Sequence, residues 1–287
     1  MKFKGPVFSH TCVDHVIDSA RGQALQDLFV VAITQGKTNG TFLEIGAAHP
    51  VHTNNTYLLE TEFGWSGTSI DVMNYSDDLT SFEKIWCNFY HAIRGPDWPN
   101  ALRIEELPTE LQKECKELHG YDDFVLKYNH CRHAIDDIPR SQRTWPNLRP
   151  GTNFVHGDAF DFDYQSLLPY VDYLQIDIDP PGNNLEILKK ILLSGLEFGV
   201  ITFEHDAWRN TTETHAVREQ SRALLHQQGY QLIVGDVCLL SEYKTPWPFE
   251  DWYANTRTVP TSIIQSYQWI NPTTDAKYCQ DILFQKT

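Results

Sequence analysis

The sequence predicts an α/β fold with a mostly parallel sheet and helices on both faces. Three observations predict it: short apolar runs that read as buried strands, helical-period segments between them, and acidic residues gathered where the runs end. From Asp14 to Gly36, the positions Val16, Ile17, Ala20, Ala24, Leu28, Val31 and Ala32 follow helical spacing, with Gly36 as the stop. TFLEIG, beginning at Thr41, reads as the first strand. Asn54 to Phe63 reads as a helix opening on asparagine caps, and GTSIDV as the second strand. The rhythm resumes with TNFVHGDAF, DYLQIDID, a helix from Asn184 with Leu185, Leu188, Ile191 and Leu192 on one face, and FGVITFEHD. A helix near Glu213 to Gln228 and the strand YQLIVGDV follow. Strands alternating with helices favour parallel neighbours joined by crossovers.

Residues 74–150 interrupt this order. They carry Trp, Pro and charge without strand patterning and read as a long, partly helical insertion, because a structureless loop of that length is improbable in a compact domain. The expected organisation is one domain over residues 1–287, with a helical lead at 1–40, the insertion at 74–150 as a cover for an acceptor pocket, and a tail at 258–287.

Bulk properties exclude more than they identify. A net charge of −15 disfavours nucleic acid, whose phosphates are bound by clustered Lys and Arg. No stretch reaches the roughly 18 to 20 apolar residues of a membrane span, so no membrane partner is expected and a cytoplasmic location is. The six cysteines (Cys12, Cys87, Cys115, Cys131, Cys238, Cys279) form no CxxC pair, which points away from a zinc ribbon or a disulfide framework.

In open parallel sheets ligands sit beyond the carboxyl ends of the strands. Those ends hold Glu44 and Gly46, then Asp71, then Asp158, then Asp177 and Asp179, then Glu204, His205 and Asp206. The first loop, Gly46-Ala47-Ala48-His49-Pro50, offers Gly46 and Ala47 to a cofactor but has Ala48 and Pro50 instead of the further glycines of a dinucleotide turn, and Glu44 would set a negative charge near a diphosphate. A positively charged ligand without phosphate suits it better. S-adenosylmethionine is one, with Asp71 placed to accept from its ribose hydroxyls. Asn54 and Asn55 are expected to cap the following helix, with a cofactor contact by Asn55 in addition.

The run GQALQDLFVVAITQGKTNGTFLEIGAAHPVHTNNTYLLETEFGWSGTSID, with YLQIDID, ITFEHD and PFEDWYAN further on, resembles the FkbM-type S-adenosylmethionine-dependent methyltransferases. The likeness spans roughly residues 22–71 and 151–257. It departs at His49-Pro50, where a glycine commonly follows, and at Asp-Pro-Pro after the fourth strand. It implies a Rossmann-like class I methyltransferase fold with a mostly parallel seven-stranded sheet, and O-methylation of a sugar or other small metabolite. It also implies cofactor contacts from Asp158 and Ala159 on the adenine side, and a closing role for Gln26 and Asp27 of the leading helix. The alternative for Asp158 is a plain helix cap.

Asp177, Asp179, Glu204 and His205 allow two readings. As oxygen and imidazole ligands they could hold magnesium, which would lower the pKa of an acceptor hydroxyl. Without an ion, Asp177 would orient the methionine end of the cofactor and Glu204 would be structural. His205 is the expected general base, with Asp179 as a metal-assisted acid beside it. Pro180 and Pro181 are expected to fix the entry to the next helix, since Gly182 offers no ring for stacking on an extruded base. The aromatic set Trp247, Phe249, Trp252 and Tyr253 reads as a core-facing strand, or as a sugar-stacking wall. Two other functions stay open: a nicotinamide-dependent oxidoreductase, and a glycan-binding protein that retains the fold without catalysis.

Overall fold

A computed structural model describes residues 21, 22, 24, 26–51, 54–72, 145–238 and 248–265. In order they form α1 (Gln26–Ile33), β1 (Thr41–Ile45), α2 (Tyr57–Phe63), β2 (Ser66–Asp71), α3 (Trp145–Leu148), β3 (Thr152–His156), β4 (Tyr170–Ile176), α4 (Pro181–Leu193), β5 (Glu197–Glu204), α5 (Thr212–Gln227), β6 (Tyr230–Cys238), β7 (Pro248–Asn255) and α6 (Thr261–Gln265). The seven strands run in the order β3-β2-β1-β4-β5-β7-β6. All pairs are parallel except those of β7, which is antiparallel to both β5 and β6. That order, with its single reversed strand, is the class I methyltransferase topology.

The sheet is covered on both faces, as the continuous apolar runs of β1, β4 and β5 require. Phe42, Tyr173, Val200, Trp252 and Ala254 pack with Leu28, Phe29, Leu58 and Leu59 of α1 and α2. Their sequence neighbours Leu43, Ile45, Leu174, Ile176, Ile201 and Phe203 pack on the other face with Leu185, Leu188, Ile191, Val217 and Leu225 of α4 and α5. The topological switch lies between β1 and β4, whose crossovers leave to opposite sides, so the crevice opens there.

Three sequence expectations need correcting in detail. The asparagines do not cap α2: its N-cap is Thr56, without a side-chain cap, and Asn54 and Asn55 belong to the preceding loop. Helix α4 begins at Pro181, before Asn184; Pro180 is its N-cap, so the two prolines do set its entry. The last residues of the expected insertion belong to the body, since Trp145 stacks on Phe154 of β3 and Arg149 is fully buried. Phe249, Trp252 and Tyr253 are core residues of β7, leaving no exposed aromatic wall from these three; Trp247 lies outside the described residues. Residues 1–20 and 73–144 and most of the 258–287 tail also lie outside them. Among the described residues, no helix is long and apolar enough to cross a membrane.

Candidate active site

The turn after β1 packs directly against the end of β4. Gly46 has φ +78, and a Cβ there would lie 1.7 Å from the Asp177 carbonyl oxygen, so only glycine fits. Its amide donates to Ile70 O (2.9 Å), as does that of Ala47 (3.3 Å), and Asp177 N donates to Ile45 O (3.0 Å). These bonds bring the ends of β1, β2 and β4 to one place. Asp71, partly exposed at the end of β2, accepts from Ala48 N through Oδ2 at 2.7 Å, which fixes its carboxylate at the lip of the turn.

Glu44 does something other than expected. It is 1% exposed, and its carboxylate accepts from Asn54 Nδ2, Asn55 N, Thr56 Oγ1 and Ser69 Oγ at 2.7 to 3.2 Å. Burial raises its pKa, with Arg149 opposing. Glu44 therefore organises the turn from inside and presents no carboxylate oxygen to the crevice. Arg149, which the sequence reading missed, completes this hub: it donates to Glu60, Pro50 O, Asn54 Oδ1 and Thr56 Oγ1 at 2.7 to 2.9 Å. Its guanidinium lies over Phe42, Tyr57 and Trp145.

At the ends of β4 and β5 three carboxyls meet. Asp177 and Glu204, both half-buried, hydrogen-bond to one another, and Glu204 also bonds Asp206. Burial raises the pKa of both members of the pair. The charges of Asp206, Asp179 and Asp71 add to the effect at Asp177, and those of Asp177 and Asp206 at Glu204. Glu204 is raised further, so it holds the proton that Asp177 accepts. Asp206 is held by Trp208 Nε1 (2.6 Å) and Arg209 (2.7 Å), and Arg209 also bridges to the exposed Asp179 (2.8 Å). Asn184, also missed, fastens this floor: Oδ1 accepts from Ile178 N (2.7 Å) and Nδ2 donates to Glu204 O (3.1 Å). An asparagine in an amphipathic pattern gives no local sign of such a role.

The four expected metal ligands do not converge. Strand β4 stops at Ile176, and the bond from Ile178 to Asn184 ends its alternation, so Asp177 turns to Glu204 while Asp179 turns outward to Arg209. His205 departs most. It is fully buried; Nδ1 accepts from Ala207 N (3.1 Å), which leaves the ring proton on Nε2, facing Asp251 Oδ1 at 3.4 Å and Asp236 Oδ1 at 3.8 Å. An imidazole enclosed in this way touches no acceptor in the crevice, which removes it as the general base. Among the described residues, His205, Asp236 and Asp251 are the one group spaced for a cation. Those carboxylates already pair with Arg218 (2.9 Å) and Arg222 (2.7 and 3.0 Å), two guanidiniums that would repel one. Although Asp251 is buried, Arg222 and His205 hold its pKa well below the usual range.

The remaining candidates are placed as follows. Asp158 is exposed and accepts from Phe160 N (2.8 Å), a local turn; Ala159 beside it is buried, its carbonyl held by Tyr164. Gln26 and Asp27 are buried at the start of α1. Asp27 takes the amides of Arg21 (2.6 Å), Gly22 (3.0 Å) and Leu28 (2.9 Å), drawing the preceding strap onto the site. Asn55 is 5% exposed, and its Oδ1 has no hydrogen-bond partner.

No known family model matches the chain, and no curated protein matches it significantly. Solved structures do. A provisional O-methyltransferase from Klebsiella pneumoniae is 14% identical, with 88% of this chain and 90% of that one covered at a TM-score of 0.42. An O-methyltransferase from Bacillus cereus in complex with S-adenosylhomocysteine is 12% identical, with 87% and 93% covered at 0.43. A provisional tRNA (m1A22) methyltransferase from Streptococcus pneumoniae, in complex with S-adenosyl-L-methionine, is 10% identical, with 82% and 76% covered at 0.38. The fold is fixed by the strand order itself: a seven-stranded class I methyltransferase sheet with β7 reversed.

Proposed function

We propose that this protein is an S-adenosylmethionine-dependent O-methyltransferase of the FkbM type, acting on a hydroxyl of a sugar or other small metabolite. The observation behind this reading is the Asp177–Glu204 pair at the switch-point crevice, one proton between two carboxyls with no cation among the described residues in direct contact with either. The neighbouring groups suit the cofactor: Gly46 removes the side chain that would block the turn, and Asp71 stands where a ribose diol can donate to it. When bound, S-adenosylmethionine supplies a sulfonium-activated methyl group that an oxygen nucleophile can take while a neutral thioether leaves.

The chain's own residues do the rest. Asp177, ionised and steadied by the proton on Glu204, accepts the acceptor's hydroxyl proton. Asn184 and Gly46 hold Asp177 against the turn, so base and cofactor keep one relative position; such positioning can contribute about 7 to 11 kcal/mol. No step is assigned to magnesium, because the proposed ligands diverge.

The test is transfer of labelled methyl from S-adenosylmethionine to a panel of sugars, small hydroxylated metabolites and RNA, with and without a chelator. Label on a small hydroxyl, undiminished by chelator, is the expected result. Label on RNA alone would overturn the acceptor class, and oxidation of reduced nicotinamide with no methyl transfer would overturn the reaction.

A further inference from the structure

Arg209 stands beside the Asp177–Glu204 pair with more than half of its donors unused. It closes the short 3-10 turn Ala207–Arg209 that follows β5. Its Nη2 carries both of its ion pairs, to Asp179 Oδ1 at 2.8 Å and to Asp206 Oδ2 at 2.7 Å. Nε is buried without a hydrogen-bond partner, and Nη1 makes no hydrogen bond among the described residues. A guanidinium has five N–H donors, so three are open here, and a buried N–H is seldom left unpaired. The arrangement points to an oxygen that the protein itself does not supply.

The position of this cation is fixed and within reach of a ligand. Asp206 and Asn210, on either side of the turn, are non-glycine residues at φ 52 and φ 50, and the guanidinium lies 5.5 Å from the Trp208 ring centroid. The side chains of Arg209 and Asp179 are 31% and 64% exposed, so a dissolved molecule can meet both. Asp206 also bonds Glu204, which bonds Asp177, and the charges of Asp206 and Asp179 both act on Asp177. Arg209 therefore joins two carboxylates that lie within electrostatic reach of the proposed base.

The charges here define what fits. With Asp177 ionised, three carboxylates face one guanidinium. An anionic ligand would satisfy the open N–H groups but enter a negative field, while an ammonium would meet the carboxylates but oppose the guanidinium with like charge and further donors. A hydroxyl suits both, since it donates one hydrogen bond and accepts two. Two hydroxyls on neighbouring carbons divide the work. One gives its proton to Asp177, and the other donates to Asp179 Oδ2, which has no partner among the described residues, and accepts from Arg209.

We propose that Arg209 and Asp179 form the specificity subsite for the acceptor and select a neutral vicinal diol, holding between them the hydroxyl next to the one methylated. This assignment rests on the methyl-transfer reading above. The cofactor carries a vicinal diol of its own in its ribose, so the test uses protein with and without S-adenosylhomocysteine.

Ligand-observed NMR on the full chain gives the affinities of four matched rings: cis-cyclohexane-1,2-diol, cyclohexanol, 2-aminocyclohexanol and 2-hydroxycyclohexanecarboxylate. With S-adenosylhomocysteine bound, the diol should bind roughly 10- to 100-fold more tightly than each of the others. Arg209→Met should bring the diol and cyclohexanol together, Arg209→Lys should keep part of the gap, and melting curves check that both variants fold. With a sugar acceptor and labelled cofactor, Arg209→Met should raise KM by about tenfold or more and change kcat by less than about threefold. If Arg209 only braces β4 against β5, Arg209→Met would lower stability and kcat and leave the order of the four rings as it was. That result overturns the subsite, as does equal binding of diol and cyclohexanol to wild type, or no binding by either. If Arg209→Met weakens S-adenosylhomocysteine by a comparable factor, the diol it holds is the ribose and the acceptor assignment falls. A diol preference that Arg209→Met removes, with no methyl transfer to any acceptor, keeps the subsite and sinks the methyl-transfer reading.

Discussion

Two acid clusters in one half of the sheet have opposite chemistry: Asp236 and Asp251 on β6 and β7, and Asp177 and Glu204 at the ends of β4 and β5. Asp236 and Asp251 face two guanidiniums, so their charge is balanced and Asp251 is held ionised. Asp177 and Glu204 have no cation in contact among the described residues, so burial forces them to share a proton. The first arrangement ties α5 to β6 and β7; the second stores a proton at a crevice. Acidity at a strand end is thus not a signature of function. What separates the two clusters is whether a counter-ion has already been supplied.

Asp177→Asn should break the reactive cluster and do the most damage to activity. It removes the proton acceptor while nearly preserving shape, and turnover should fall roughly 10²- to 10⁴-fold with S-adenosylhomocysteine affinity little changed. A variant that keeps its turnover would place the base elsewhere. Arg222→Met attacks the balanced cluster and should act on stability instead. Stranding Asp251 should cost about 3 to 5 kcal/mol in denaturant titration, while the folded fraction keeps its cofactor affinity. Loss of affinity without loss of stability would reverse the roles assigned to the two clusters.

A smaller effect is expected of Asp71→Ala, which should weaken S-adenosylhomocysteine binding about 10- to 100-fold by losing charged hydrogen bonds to the ribose. Calorimetry with no change would remove Asp71 from the site. A further expectation concerns pH. Glu250 has a folded pKa of about 8 against 4.5 unfolded, so the folded state binds its proton more tightly and stability declines as pH rises from 4.5 to 8. Glu250→Gln should flatten that decline by up to about 4 kcal/mol. Melting curves of the two proteins that stay parallel across this window would show that Glu250 is ionised throughout.

The sheet was legible because each strand is a short apolar run between turn residues, and Pro180-Pro181 announced a helix start by fixing the backbone. Side-chain partners were another matter. Glu44 and Asp71 look alike in sequence, both acids at strand ends. Glu44 points inward because Ser69, Asn54 and Thr56 meet it there, and the arginine that supports this hub arrives from residue 149. His205 between two acids suggested a poised base; its real neighbours lie on β6 and β7. Local pattern encodes the backbone, whereas long-range pairing decides which acids are reactive.

Gly46 bears on how the protein can diverge. Its backbone rests directly on the carbonyl of Asp177, leaving no slack between the turn after β1 and the residue proposed as the base. A lineage that explores new acceptors can reshape distant walls of the cavity freely. It cannot retune either of these two elements alone, so they should be inherited as one unit.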